Sequence, residues 1–238
     1  MANSWFKFKQ FTIEQGQSAM KVGTDGVLLG AWVKIEDKKQ ILDVGSGTGL
    51  IALMLAQRSS NAQIDAVEID KLASEQAKSN FENSKWNNRL EIFNLSLQDF
   101  AKHSSTKYDY IISNPPYFEH SYAAKTVQRQ TARETVSLSF QELIASVQKL
   151  LKKEGRFAVI LPYTAINDFI ILATKVDLYL NYRTNIYPTL ESKIKRVLLQ
   201  FSFKNKEVEE DSLVIEPTTR HEYSEEYKEL TKDFYLKF

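Results

Sequence analysis

The sequence contains no cysteine and little glycine or proline, and each shortage limits what the protein can be. Its 238 residues include 8 Gly, 5 Pro and no Cys. Without thiols, a disulfide scaffold, a thiolate zinc site and an iron–sulfur cluster are excluded, and a reducing cytoplasm is the expected location. The scarcity of glycine excludes a collagen-like repeat. Seven of the eight glycines lie between Gly16 and Gly49, so exposed backbone is concentrated there.

Long hydrophobic runs and metal-binding patterns are also missing. No stretch approaches the ~20 apolar residues that a membrane span requires, and the first ten residues have neither the apolar core nor the cleavage site of a signal peptide. We therefore expect no membrane partner. The three histidines show no metal-ligand spacing, so we expect no metal site; they are His103, His120 and His221.

Positive and negative charges are balanced overall but separated along the chain. The net charge is +1, yet residues 183–206 hold six basic and one acidic residue, and residues 207–238 hold four basic and ten acidic ones. Residues 102–156 also have a basic excess, with nine basic and five acidic residues. A basic middle of this kind is typical of nucleic-acid binding, although solvated helix faces give the same pattern.

Predicted strands and helices alternate along one domain. We expect strands at 40–45, 63–69, 90–95, 108–113, 156–161, 177–187 and 197–204, and helices at 50–58, 71–86, 140–152 and 166–175. Gly155 stands where the third of these helices would end. The alternation predicts an α/β, Rossmann-like, doubly wound fold with a mostly parallel seven-stranded sheet, helices on both faces and ligands beyond the carboxyl ends of the strands. Residues 1–38 would be an N-terminal extension and 207–238 an acidic tail.

A glycine loop follows the first predicted strand. It contains Asp43, Gly45, Gly47 and Gly49, at alternate positions. Such glycines let the backbone turn tightly and let a ligand lie against bare main chain, and the next helix directs its free amides to the same place. The dinucleotide fingerprint would need glycine at position 50, where Leu50 stands, so a dehydrogenase is disfavoured.

An acidic residue at the end of the second strand accompanies this loop. Glu68 comes nineteen residues after Gly49 and can accept hydrogen bonds from both hydroxyls of a ribose. Capping of the following helix is the alternative, both for Glu68 and for Asp70.

A second site is predicted where strand 108–113 ends, at Asn114-Pro115-Pro116-Tyr117. The two prolines fix φ and remove two amide donors. The side-chain oxygen of Asn114 and the carbonyl of Pro115 can accept both hydrogens of a flat amino group, while Tyr117 stacks on its ring. This directs the nitrogen lone pair at an electrophile, and no general base is needed before the attack. A turn holding a buried aromatic is the structural alternative.

The glycine loop and the acidic end of the second strand resemble those of class I S-adenosylmethionine-dependent methyltransferases. The resemblance implies that the loop faces the methionine part of S-adenosylmethionine, that Glu68 holds its ribose, and that Leu97 or Asp99 contacts its adenine. Ser96 stands where that family often has an acidic residue, and loop packing or capping remains the alternative for Leu97 and Asp99. The Asn-Pro-Pro-Tyr motif resembles that of amino-methyltransferases, which modify adenine N6, guanine N2 or a glutamine amide.

Residues 8–11 and 20–32 resemble the bacterial valine-tRNA adenine-37 N6-methyltransferases, and the likeness extends over most of the chain. It implies N6-methylation of the adenine beside the anticodon of valine tRNA. Thr24 and Asp25 would either cap a helix or lie over the cofactor. Two basic groups are expected to bind RNA phosphates while the target base flips out, unless they are solvated faces; they are Lys125, Arg129 and Arg133, and Lys193, Lys195 and Arg196.

Rival functions remain open. A glutamine methyltransferase acting on protein shares Asn-Pro-Pro-Tyr, but its substrate domain usually precedes the catalytic one, and only about forty residues precede the first strand here. An rRNA guanine-N2 methyltransferase is a further alternative. An RNA-binding module without catalysis is disfavoured because both the loop and the Asn-Pro-Pro-Tyr motif are intact.

Overall fold

The computed structural model describes residues 3–18, 20–116 and 138–237. The strands within these ranges are β1 Trp5–Lys7, β2 Thr12–Glu14, β3 Gln40–Val44, β4 Gln63–Val67, β5 Leu90–Phe93, β6 Tyr108–Ser113, β7 Leu151–Pro162, β8 Tyr179–Tyr187, β9 Arg196–Ser202 and β10 Glu209–Val214. The α-helices are α1 Thr24–Trp32, α2 Leu50–Arg58, α3 Lys71–Glu82, α4 Leu97–His103, α5 Phe140–Leu150, α6 Ile166–Thr174 and α7 Glu225–Thr231.

The central sheet has the order β5-β4-β3-β6-β7-β9-β8-β10. Among the described strands of this sheet, β9 alone runs antiparallel to its neighbours, β7 and β8, so the predicted doubly wound, mostly parallel sheet is confirmed. The strand order reverses between β3 and β6, which is where such sheets open a crevice for ligands.

The described part of the chain contributes eight strands to the sheet, where the sequence predicts seven. The additional strand, β10, pairs in parallel with β8 at the edge of the sheet and comes from the acidic segment 207–238. Four of its six residues are exposed charged or polar side chains, so it lacks the alternating apolar pattern by which strands are recognised. The same segment also forms α7, and Tyr227 and Phe234 from it are buried in the core.

Helices cover both faces of the sheet, each over its own apolar core. Neighbouring residues of β3 point to opposite faces: Ile41 packs with α1 and α2, and Leu42 packs with α4, α5 and α6. The first core also receives the N-terminal hairpin of β1 and β2, through Phe8 and Ile13. Two apolar layers around a central sheet are what the alternating sequence pattern predicts.

Some predicted boundaries are wrong. The helix expected at 140–152 ends at Leu150, and Gly155 lies inside β7 rather than at a helix end. The β6–β7 register jumps from Tyr108↔Leu151 to Tyr110↔Arg156, so several residues of β7 leave the ladder there. A Cβ on Gly155 would lie 2.7 Å from Leu151 Cδ1, and this close contact explains the glycine. The helix expected at 71–86 ends at Glu82.

Candidate active site

The glycine loop lies beyond the carboxyl end of β3 with all three glycines in the left-handed region. Their φ values are +69° at Gly45, +56° at Gly47 and +80° at Gly49, a conformation that side chains other than glycine rarely adopt. A Cβ at Gly45 or Gly47 would meet nothing within 4 Å, whereas a Cβ at Gly49 would lie 2.4 Å from Phe81 Cε1. The first two glycines therefore border open space, and the third allows α2 to pack against α3.

Asp43 is fully buried under this loop. Its Oδ2 accepts a hydrogen bond from the backbone N–H of Ala52 at 3.1 Å, while Oδ1 has no hydrogen-bond partner among the described residues. Burial raises the pKa of Asp43 to about 7, against the opposing effect of the Ala52 N–H. A buried carboxyl with an unsatisfied oxygen fits a ligand that brings a donor or a positive charge.

Glu68 reaches from the end of β4 to the glycine loop. Its Oε2 accepts from the Gly47 N–H at 2.8 Å and its Oε1 accepts from the Asp70 N–H at 2.9 Å. Each carboxylate oxygen retains a second acceptor position for a hydroxyl group. The side chain that caps α3 is that of Asp70, which accepts from the Ala73 N–H at 2.8 Å. The capping alternative thus describes Asp70, and Glu68 borders the loop.

The segment after β5 is a helix start rather than an open loop. Ser96 is the N-cap of α4, accepting from the Asp99 N–H at 3.0 Å and donating to Asp99 Oδ2 at 2.7 Å. The Leu97 side chain is buried in the core. The described contacts of Leu97 and Asp99 are therefore packing and capping, and their predicted contact with an adenine stays a prediction.

The Asn-Pro-Pro motif begins beside the glycine loop. Val44 and Ser113 are register partners in β3 and β6, and Ser113 Oγ also donates to the Val44 carbonyl at 3.0 Å. Gly45 directly follows β3 and Asn114 directly follows β6. The two backbone segments therefore leave the sheet side by side. Asn114 is half-buried and Pro115 is buried. The segments that carry the two predicted sites therefore lie next to each other at one edge of the sheet.

The first turn of α1 packs against this site. The N-cap is Gly23, and no side chain makes a cap hydrogen bond, so the prediction that Thr24 or Asp25 caps the helix is wrong. A Cβ on Gly26 would lie 3.1 Å from Leu50 Cδ2 and 3.9 Å from Asn114 Nδ2. Glycine at this position lets α1 approach both α2 and the Asn-Pro-Pro turn.

The structure describes only some of the predicted substrate-binding residues. Tyr117, Lys125, Arg129 and Arg133 lie outside the described residues. Lys193 and Lys195 are exposed, whereas Arg196 donates from Nε to Asp25 Oδ2 at 2.8 Å. The predicted cofactor residue Asp25 and the predicted RNA residue Arg196 are thus an ion pair.

A cleft of about 660 Å³ adjoins this pair. Sequence analysis missed its aromatic lining, which comes from the N-terminal hairpin and the acidic C-terminal segment: Phe6, Tyr223, Tyr227 and Tyr235. These residues form no local motif, and the one available signal was the recurrence of tyrosine among the acidic residues of that segment.

The described ranges contain neither a helix suited to span a membrane nor a group of metal-ligating side chains. None of their helices combines the length and hydropathy needed to cross a bilayer. Among the same residues, no three His, Cys, Asp or Glu side chains are grouped as metal ligands would be.

Several solved structures with a similar fold are named as methyltransferases. A predicted O-methyltransferase from Agrobacterium tumefaciens superposes with a TM-score of 0.70 at 17% identity, covering 88% of this chain and 96% of that one. A ribosomal protein L11 methylase from Lactobacillus delbrueckii gives a TM-score of 0.58 at 15% identity, covering 81% and 84%. At these identities the likeness concerns the fold, which is that of the class I methyltransferases.

Sequence comparison defines the family more narrowly. The family model of the methyltransferase small domain matches residues 18–165. A Flavobacterium psychrophilum protein named tRNA1(Val) (adenine(37)-N6)-methyltransferase is 49% identical, with 98% of this chain and 99% of the relative covered. A Bacteroides thetaiotaomicron protein of the same name is 46% identical, with 99% of each covered. The chain belongs to the methyltransferase small domain family and, within it, to the family of these tRNA methyltransferases.

Proposed function

We propose that this protein transfers a methyl group from S-adenosylmethionine to the N6 amine of adenine 37 in valine tRNA. The observation that carries the proposal is the pairing of Val44 with Ser113, because it brings a glycine cradle and an amine-binding turn to one point of the sheet edge. The names of the relatives, which match over nearly the whole chain, support the choice of base and of tRNA. A tRNA substrate also favours the cytoplasm as the site of the reaction.

The residues around the glycine loop fit this cofactor. Gly45 and Gly47 leave open space where side chains would stand, and Glu68 has acceptor positions for ribose hydroxyls. The unsatisfied Asp43 oxygen lies beneath the loop, where its ionised form would be favoured by a cationic ligand. S-adenosylmethionine, when bound, supplies the methyl group on a positively charged sulfur.

Asn114 and Pro115 would act on the acceptor amine. The Asn114 side-chain oxygen and the Pro115 carbonyl accept its two hydrogens, which removes the nitrogen lone pair from conjugation with the ring and orients it for in-line attack. The amine is neutral and loses a proton only after methyl transfer, so no side chain has to act as a base beforehand. Pro115 and the first turn of α1 keep the turn rigid. Tyr117 would stack on the base, and this role remains a proposal.

The RNA would be held by exposed cations outside the pocket. Lys193 and Lys195 precede β9, whose first residue lies at the same sheet edge as Asn114. We assign them phosphate contacts that hold the anticodon loop while the target adenine leaves its stack. Lys125, Arg129 and Arg133 belong to the same proposal.

The test compares Asn114→Ala with a matched control. Asn83→Ala is the control, because Asn83 is an exposed asparagine at the end of α3 whose side chain bonds only to Ser79 among the described contacts. Asn114→Ala should reduce methyl transfer to valine tRNA by at least about a hundredfold, since lost transition-state contacts act on kcat, with a nearly unchanged dissociation constant for S-adenosylmethionine. Asn83→Ala should behave as wild type.

Mass spectrometry identifies the product. Valine tRNA from a strain lacking the gene is incubated with the protein and digested to nucleosides, and N6-methyladenosine should appear. Methylguanosine as the only product, or methylated glutamine in a protein substrate with unmodified tRNA, would contradict the proposal. Near-normal turnover by Asn114→Ala would remove Asn114 from the mechanism.

A further inference from the structure

The aromatic lining of the cleft beside the Asp25–Arg196 pair has no role in the function proposed so far. The cleft lies at the sheet edge that carries the Asn-Pro-Pro turn, because Ile186 is the second-last residue of β8, Arg196 begins β9 and Ile215 follows β10. One wall is the first turn of α1, from Gly23 to Asp25. That same turn packs against Asn114 through Gly26, so the cleft and the reaction site are on either side of one helical turn.

Aromatic rings line a second wall of the cleft. Tyr223 is partly exposed and stacks on the buried Tyr227, with ring centroids 5.2 Å apart and 22° between the planes. Tyr235 and Phe6 are also partly exposed and meet edge to face at 6.2 Å. Aromatic rings that are rigidly packed behind and partly exposed in front are suited to stack an unpaired base.

Cations surround these rings. The cleft is bordered by four basic side chains, those of Lys7, Lys195, Arg196 and Lys237, and by two acidic ones, those of Asp25 and Glu216. Both acids are engaged within the protein, Asp25 with Arg196 at 2.8 Å and Glu216 with the His221 N–H at 2.9 Å. The basic excess is notable because residues 207–238 carry ten acids and four bases, and nine of those acids lie outside the cleft.

We propose that this cleft binds an unstacked nucleotide of the substrate RNA that neighbours the target adenine. Its base stacks on Tyr223 and its phosphates lie against Lys7, Lys195 and Lys237. The inference rests on the proposed function, since the first turn of α1 separates the cleft from the residue that would receive the target base. A volume of about 660 Å³ accommodates one nucleotide and part of the next. Aromatic walls with a cationic border are the features by which proteins hold single-stranded nucleic acid.

The first experiment removes the stacking surface. Tyr223→Ala should raise the KM for valine tRNA about tenfold or more, because base–aromatic stacking is lost, while kcat changes less and the dissociation constant of S-adenosylmethionine stays the same. Tyr223→Phe retains the ring and should resemble wild type. Tyr179→Ala is the matched control, since Tyr179 is a partly exposed tyrosine at the opposite end of β8.

The second experiment removes the base instead of the ring. Anticodon stem-loops of valine tRNA are prepared with an abasic site at each loop position in turn. At one position beside the target, the abasic substitution should weaken binding to the wild-type protein about tenfold and leave binding to Tyr223→Ala unchanged, because the two changes remove the same contact. Additive losses at every position would overturn the proposal.

The charged border has its own measurement. The plot of log affinity against log salt concentration has a negative slope, and Lys195→Ala and Lys7→Ala should each make it less steep by about 0.7. Lys175→Ala, which removes an exposed lysine just after α6, should leave the slope unchanged.

The stacking experiment has a second variant. If circular dichroism shows that Tyr223→Ala does not fold, Tyr223→Leu takes its place, because leucine keeps the apolar volume without a ring.

Failure of the inference differs from failure of the proposed function. Wild-type protein that leaves valine tRNA unmethylated contradicts the proposed function. Active wild-type protein with an unchanged KM in Tyr223→Ala overturns the cleft alone. A weaker dissociation constant for S-adenosylmethionine in Tyr223→Ala also overturns it, because the cleft would then belong to the cofactor site.

Discussion

The Asp25 carboxylate lies 2.8 Å from Nε of Arg196, although the two residues are 171 positions apart in the sequence. The pair joins the first turn of α1 to the start of β9. Both side chains remain about a quarter exposed, so the pair contributes little to stability. Its larger effect is electrostatic, because each charge offsets the other at the border of the cleft proposed to bind a nucleotide.

Asp25→Asn should therefore strengthen RNA binding. The substitution leaves the Arg196 charge uncompensated, so we expect affinity for valine tRNA to rise a few-fold at low salt and the salt dependence to become steeper by about one counterion. Fluorescence anisotropy over a salt series measures both. Arg196→Ala should shift both quantities in the opposite direction. A weaker dissociation constant for S-adenosylmethionine in Asp25→Asn would instead assign Asp25 to the cofactor.

Glu68→Ala should weaken cofactor binding by about ten- to a hundredfold, the range expected for hydrogen bonds to a charged group. The variant also leaves the Gly47 N–H without its acceptor, so the loop loses a contact that holds its shape. Calorimetric titration with S-adenosylmethionine measures the change. Glu75→Ala is the control, because Glu75 is an exposed glutamate on α3 that pairs only with Lys71 among the described contacts. Equal dissociation constants in both variants would remove Glu68 from the site.

The parts of the fold that sequence predicted are those with local signals. The helix bounds of α2 and the strand bounds of β6 were predicted to the residue, because apolar spacing and the double proline mark them directly. The glycine loop was predicted because its three glycines stand at alternate positions of the sequence. In the structure each of them has a positive φ, which favours glycine. The rule that ligands bind beyond the carboxyl ends of parallel strands predicted that both motifs lie at one edge of the sheet, and the structure shows that Gly45 and Asn114 are adjacent there.

The parts that sequence did not predict depend on distant contacts. The edge strand β10 is exposed and charged, so it has no apolar period. Phe8 stacks on Phe11 at 4.8 Å and lies 5.9 Å from Tyr235, a cluster that forms only when the two ends of the chain meet. Capping by Gly23 was missed because Thr24 and Asp25 are good caps by residue type, yet Asp25 has a stronger partner in Arg196. In each case the structure is determined by contacts between residues that are distant in sequence, and local residue preferences do not reveal such contacts.

Alanine substitutions at Gly45 and Gly49 should separate binding from stability. At Gly49 a Cβ would lie 2.4 Å from the Phe81 ring, inside the core, and φ is +80°. We expect Gly49→Ala to lower the free energy of unfolding by about 3 kcal/mol or more, from strain plus overpacking. Gly45→Ala places its methyl in open space, so only the backbone strain of about 1–2 kcal/mol remains.

When S-adenosylmethionine binding is measured on folded protein, Gly45→Ala should weaken it more than Gly49→Ala does, which is the reverse of their order in stability. Gly45→Ala fills the space assigned to the ligand, so its dissociation constant for S-adenosylmethionine should rise at least about tenfold relative to wild type. Urea denaturation gives the stability of each variant, and calorimetry gives the affinity. Wild-type affinity in a folded Gly45→Ala variant would show that the ligand does not approach this glycine.

Asp43 should make the protein less stable as pH rises from 5 to 8. Its folded pKa of about 7 lies above the unfolded value of 3.8, because burial disfavours the charge and Glu68 adds repulsion. The folded state therefore holds an extra proton between these pH values. The stability that this proton supplies is complete below about pH 4 and is lost as pH rises through 7.

The experiment compares the wild type with Asp43→Asn. The variant cannot titrate at this position, so the contributions of other groups cancel in the comparison of the two proteins. Between pH 5 and 8 the wild type should lose about 2–3 kcal/mol of unfolding free energy relative to Asp43→Asn, measured by urea denaturation at each pH. Glu68→Gln removes one cause of the raised pKa and should reduce the loss, whereas equal pH profiles for wild type and Asp43→Asn would mean that Asp43 is already ionised in the folded protein at pH 5.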